Sequence, residues 1–213
     1  MSIYAAIAEG VQREQQSEKI AGVVIGVVCK NKDDEGLGRV KVTFPWLSET
    51  AESQWARVAT LMAGYDKDKS KPRGTYFLPE VGDEVLVAFE QGDRDRPYVI
   101  GVLWNGADKL PLTNSDGKNN VRLIQSRSGH QIILDDTDGG EKIEIKDKTE
   151  KNSILWDTAS NTITISAEQD IVLKAPKGKI SLDAKELEFK SSANTSVEAT
   201  GTTTVKGSTV NIN

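Results

Sequence analysis

The sequence holds little of what a chemical site is usually built from. Its 213 residues include one cysteine, Cys29, and one histidine, His130. A single thiol excludes an internal disulfide framework, and in VVIGVVCKN it reads as a small apolar filler on a strand. One thiol and one imidazole supply neither a nucleophile–base pair nor closely spaced metal ligands, so no cofactor and no metal are expected. No stretch approaches the roughly 20 consecutive apolar residues of a membrane-spanning helix. The start, MSIYAAIAEGVQREQQ, has no basic segment leading into an apolar one, so the chain is expected to be made and kept in the cytoplasm. Positive charge is also short. Lys and Arg number 27 against 32 Asp and Glu, a net charge of −5, which gives no electrostatic footprint for nucleic acid.

What is present is β texture and repetition. A hydrophobic fraction of 37% with 28% charged residues is ordinary for a folded protein. Residues 1–18 form an expected N-terminal helix, because Ile3, Ile7 and Val11 recur one turn apart beside Ala5, Ala6 and Ala8. Whether that narrow stripe packs on its own chain or on a partner stays open. Residues 19–106 then carry five Val/Ile/Phe-rich runs, IAGVVIGVVCKN, GRVKVTFPW, WARVATLM, YFLPEVGDEVLVAFEQ and RPYVIGVLWNG. They are separated by Gly/Asp/Asn/Pro turn chemistry and predict a small closed barrel. Trp46, Trp55, Phe77, Phe89 and Trp104 are its expected bulky filling. The Gly/Asn/Asp/Pro-rich residues 107–127 read as a linker.

From residue 128 to residue 213 one small pattern recurs: apolar, polar, apolar, then a break. Its doublets are Ile132/Leu134, Ile143/Ile145, Ile154/Trp156, Ile163/Ile165, Ile171/Leu173, Ile180/Leu182, Leu187/Phe189 and Val210/Ile212. Ile163 to Ile171 is eight residues and Ile171 to Ile180 nine. A strand with two inward side chains presents one narrow apolar face, which a lone chain leaves uncovered. Single-chain β-solenoids spend about 20 or more residues per coil, which suits this spacing poorly. Three identical chains wrapped around a threefold axis suit it better. After Thr162, Phe189 is the only aromatic, so the segment has too little bulk to enclose a core alone. The expected fold is therefore all-β: a small OB-type barrel followed by a triple-stranded, intertwined β-helical prism. Its expected trimer core is Ile143, Ile145, Ile154, Trp156, Ile163, Ile165, Ile171, Leu173, Ile180, Leu182, Leu187 and Phe189. Gly178, Gly201 and Gly207 are expected to mark tight turns.

The phrases GLGRVKVTFPWL, WARVATLMAG, YFLPEVGDEVLVAFEQGDRDRPYVIGVLWNG and SRSGHQIILDDTDGGEKIEIKD resemble the barrel and following β-helix of contractile-injection spike proteins. That family includes phage baseplate assembly protein V and the spike portion of VgrG proteins, and the resemblance runs from about Lys19 onward. It implies a homotrimeric central spike of a phage tail-like baseplate that punctures the target envelope when a sheath contracts. It also implies a component of a tail-like particle or virion, assembled in the cytoplasm and connected to an inner tube indirectly through a hub. Only the short helix precedes the barrel, so the hub is expected to be a separate protein, with Ile3, Ile7 and Val11 as its contact. Some spikes of this type end in an apex of iron-binding histidines. Here the only histidine lies at the start of the rod, so a PAAR-type tip protein is expected to cap Val210, Ile212 and Asn213. His130, after Gly129, reads as a turn residue.

Two other functions fit the pattern less well. Small barrels of this kind bind oligonucleotides or polysaccharides, but the acidic balance opposes the first. A polysaccharide-cleaving enzyme needs paired carboxylates. The candidates, Asp33, Asp34 and Glu35 or Asp135, Asp136, Asp138 and Glu141, sit in Gly-bearing turns where acidic residues are commonly turn formers. No enzyme activity is expected.

Overall fold

The computed structural model describes residues 19–212. The calls on Ile3, Ile7, Val11 and Asn213 lie outside them. The chain divides between Asn119 and Asn120 into two compact units. Both are built from β-strands, and no helix among the described residues is long and apolar enough to cross a membrane.

The first unit is a closed barrel. Its strands are β1 (Val23–Lys30), β2 (Arg39–Phe44), β3 (Ser48–Glu52) and β4 (Ala56–Val58), then the pair β5 (Ala63–Tyr65) and β6 (Pro72–Gly74), then β7 (Glu84–Phe89) and β8 (Pro97–Val102). The sheet runs β1-β7-β8-β4-β2, and a further β1–β2 pairing closes it into a ring, with β3 added outside on β2. All ring pairs are antiparallel except β4–β8, where Arg57 lies beside Tyr98 and Val58 beside Val99 in parallel. Five strands, one parallel pair and closure of the first strand on the second make this an OB-type barrel. Register slips between Val28 and Lys30 and between Leu86 and Val87 let so few strands bend into a cylinder.

Strict alternation fills it. Along β2, Val40, Val42 and Phe44 point in while Arg39, Lys41 and Thr43 point out; along β7, Val85, Val87 and Phe89 point in. With Val28, Ala56 and Val99 they complete the core. The expected bulky filling needs correction. Only Phe89 of the five named aromatics enters the core, packed at 5.7 Å against Phe44. Trp46, Phe77 and Trp104 are 55%, 69% and 61% exposed, and Trp55 is half-buried on the outer wall. A five-stranded cylinder is too narrow for indoles along its length, and branched valines fit its pleat instead. Trp55 lies outside under Arg39 and Lys41, whose charged groups stand 5.7 and 5.6 Å from its ring.

The second unit is a five-stranded antiparallel meander: β9 (Val121–Gln125), β10 (Gln131–Asp135), β11 (Lys142–Lys146), β12 (Ser153–Asp157) and β13 (Thr162–Ser166). β9 lies within the span read as linker. After β8, still within the first unit, Asn105 and Asn114 accept backbone N–H groups and hold the chain in tight turns. No strand follows Ser166 among the described residues. Gly178 donates its N–H to the Ala175 carbonyl at 3.2 Å. The left-handed backbone falls elsewhere, at Gly129, Gly139, Glu150 and Asn161 in the connections between the strands.

Val42→Ala should lower the free energy of the barrel's unfolding transition by about 2 kcal/mol in chemical denaturation, because two buried methyl groups are lost and a cavity remains. Val23→Ala, at a side chain 51% exposed, should change it by less than about 0.5 kcal/mol.

Candidate functional site: the apolar face of the second sheet

Each strand of the meander is five residues long, and its second and fourth residues share one face. The register aligns them without a slip. One row runs Ile124, Ile132, Ile145, Ile154, Ile165; the other runs Arg122, Leu134, Ile143, Trp156, Ile163. Nine of these ten side chains are apolar. The structure thus brings six expected trimer-core residues, Ile143, Ile145, Ile154, Trp156, Ile163 and Ile165, onto one continuous face. Ile171, Leu173, Ile180, Leu182, Leu187, Phe189, Val210 and Ile212 are all exposed, on chain without strand structure.

Among the described residues this face has no second layer. Ile132, Leu134, Ile143 and Ile145, all on inner strands, remain 41–44% exposed, and Ile163 and Ile165 on the last strand 65% and 56%. A sheet with one apolar face is stable when that face is covered, and a patch of this extent on an isolated chain marks an interface. The opposite face tolerates water. Its outer rows are Gln125, Gln131, Lys146, Ser153, Ser166 and Val121, Asp135, Lys142, Asp157, Thr162, flanking the middle row Leu123, Ile133, Glu144, Leu155, Thr164.

The acidic residues serve the turns between these strands. Asp135 accepts the Thr137 N–H and hydroxyl, and Asp136 accepts from Arg122 at 3.1 Å. Asp147 accepts from Thr149 and from the Asn152 amide at 2.7 Å, and those hydrogen bonds hold its carboxyl at about 2. Asp157 accepts the Ser160 N–H. His130 lies on the same framework, its Nδ1 accepting the Lys148 N–H at 3.3 Å. In the barrel, Asp33 is more fully engaged. Arg39 donates to both its oxygens at 2.8 Å, and the Glu35, Leu37 and Arg39 N–H groups add three further bonds. Its side chain is 3% exposed. A carboxylate so saturated braces the β1–β2 loop and has no lone pair aimed outward for a substrate.

Residues 24–104, the barrel, match the family described as the type VI secretion system/phage-baseplate injector OB domain. Among curated proteins, the chain is 28% identical over 152 residues to the type VI secretion system spike protein VgrG1a of Pseudomonas aeruginosa, covering 66% of this chain and 23% of that protein. It is 31% identical over 137 residues to the type VI secretion system spike protein VgrG3 of Vibrio cholerae, covering 59% of this chain and 13% of that protein. It is 36% identical over 123 residues to the type VI secretion system spike protein VgrG2a of Pseudomonas aeruginosa, covering 54% and 14%. The chain therefore spans less than a quarter of the length of these relatives.

The Asp33–Arg39 brace carries a pH signature. The Arg39 guanidinium, chiefly through its hydrogen bonds, holds the Asp33 carboxyl well below the usual carboxylate range. A carboxyl depressed by folding stabilises above its unfolded value of about 3.9, and that contribution is lost as pH falls through the lower folded value. Asp33→Asn should therefore be less stable than the parent by a constant margin between about pH 5 and pH 8, and the margin should shrink steadily below about pH 4. Urea titrations at stepped pH would measure it.

Proposed function

The barrel belongs to the injector OB domain family and the chain is VgrG-like, and from that premise we propose that it is the central spike of a contractile injection machine, working as a homotrimer. The observation that carries this reading is the bare apolar face of the second sheet. Three copies that turn these faces toward a common axis cover them mutually, with Ile143, Ile145, Ile154, Trp156, Ile163 and Ile165 at the centre. The same association gives the doublets Ile171/Leu173, Ile180/Leu182 and Leu187/Phe189 the neighbours that a single chain cannot supply, which extends the core into a β-helical rod. Residues 120–213, which include β9, then form the needle, residues 19–106 its barrel, residues 107–119 the joint and residues 1–18 the attachment.

Partners follow at the two ends. Ile3, Ile7 and Val11 contact a baseplate hub that links the spike to the inner tube. At the other end of the chain, Val210, Ile212 and Asn213 are the proposed contact for a PAAR-type tip protein. The role is mechanical. Energy comes from the contracting machine, and this chain contributes stiffness, threefold symmetry and a socket at each end. Of the carboxylates that a glycoside-cleaving site could use, Asp33 and Asp135 are engaged within their turns and Asp136 is paired with Arg122, and the proposed role requires no catalytic group or cofactor. The finished particle delivers the spike to the target cell envelope.

Light scattering tests the reading. Three chains of 23.2 kDa should give a solution mass of about 70 kDa. Ile145→Asp, in the middle of the bare face, should shift the mass toward that of one chain, because three carboxylates would be forced together at the axis. Thr164→Asp, on the opposite face, should leave it unchanged. A parent chain that is monomeric at micromolar concentration would sink the proposal.

A further inference from the structure

A second bare apolar surface lies on the barrel, at the hairpin β5–β6. This hairpin pairs only with itself, Ala63 with Gly74, Gly64 with Arg73 and Tyr65 with Pro72. Two strands of three residues are marginal in water. Local bonds hold the tip: Asp66 takes the Ser70 N–H at 2.7 Å and its hydroxyl at 2.6 Å, and Arg73 Nε donates to the Tyr65 carbonyl at 2.9 Å. At the base the Thr75 N–H donates to the Met62 carbonyl at 3.0 Å, and the Thr60 hydroxyl to the Thr75 carbonyl at 3.0 Å. None of these bonds buries apolar surface. Around the base, Leu61 is 94% exposed, Tyr76 79% and Phe77 69%, beside Ile100 at 45% and Val102 at 56% on β8. Leu61, Phe77, Ile100 and Val102 line one open cleft of about 380 Å³.

The hairpin also differs in charge from the body that bears it. Residues 65–75 hold four cations, Lys67, Lys69, Lys71 and Arg73, against Asp66 and Asp68. The rest of the barrel unit, residues 19–64 and 76–119, holds ten cations against thirteen carboxylates. A basic tip on an apolar base thus projects from an acidic body, and an identical body has the complementary charge.

We propose that the hairpin is an arm that packs its apolar base and basic tip against the acidic barrel wall of the neighbouring copy. The inference rests on the trimer proposed above and adds a contact to it. In a ring of three, each copy extends one arm and receives one, a heterologous contact that closes on itself. Leu61, Phe77, Ile100 and Val102 form the dry centre of that contact, and Lys67, Lys69 and Lys71 its charged rim.

Limited trypsin digestion of the full chain, with mass measured in parallel, tests it. Trypsin cuts after Lys67, Lys69 and Arg73, all within the arm. At a mass of three copies, cleavage between residues 67 and 74 should be slower in the parent than in Leu61→Asp/Phe77→Asp by about tenfold, since cleavage follows the population of the open arm. Leu61 has almost no packing among the described residues of its own chain, so its effect reports on the neighbour. Lys67→Glu/Lys69→Glu, read by cleavage after Arg73, should release the arm likewise, and more weakly at high salt. A trimeric parent whose arm is cut as fast as the variant's would overturn the inference and leave the spike reading standing. Protection that appears only when a hub protein is added would assign the arm to the hub and also overturn it. A monomeric parent would overturn both.

Discussion

A strand that carries two apolar side chains on one face has to be covered by something, and the structure depends on how each half of the chain meets that demand. The barrel meets it internally. Val40, Val42 and Phe44 of β2 face Val85, Val87 and Phe89 of β7 across a closed ring, and each strand is another's second layer. The meander has the same alternation and no ring. Its two apolar rows are as regular as the barrel's interior and stay open to solvent.

This difference separates stability from assembly. The barrel's core is complete within one chain, and its outer wall is organised by ion pairs such as Lys30–Glu52 at 2.8 Å, which contribute little on an exposed surface. In the meander, bonding within the chain comes from the ladders, the turns and side-chain pairs along and between strands such as Gln131–Gln125 at 2.7 Å. Backbone pairing and the carboxylate turns at Asp135, Asp147 and Asp157 preserve the strand register without covering the face. A sheet ordered in this way presents a finished surface to a partner, so little conformational entropy remains to be lost on association.

Much of this was legible in the sequence. The doublets from Ile132/Leu134 to Ile163/Ile165 mark strands because period-two alternation has a direct geometric meaning, and the acidic and glycine breaks between them have one as well. Beyond Ser166 the same alternation continues without strands in the single chain, since periodicity states which side chains share a face and not whose backbone pairs with them. The aromatics fall outside the core for a related reason. Trp46, Phe77 and Trp104 lie in or beside strand-like runs, but a sequence pattern does not carry the radius of the cylinder, and valine is what fits there. The arm between WARVATLM and YFLPEV was missed because its strands are only three residues each, too short for any period to show. Its one signal was the local excess of lysine around Pro72 and Gly74.

The sameness of the five meander strands bears on how such a chain changes over time. They begin at Val121, Gln131, Lys142, Ser153 and Thr162, nine to eleven residues apart, and each repeats the same second-and-fourth placement. Inserting or deleting one strand would reverse the direction in which the chain leaves the sheet. Two strands together restore it, and the rows lengthen or shorten with no change of face. The length of this sheet can therefore change only in steps of one whole hairpin if its apolar face and the direction of chain exit are to be kept.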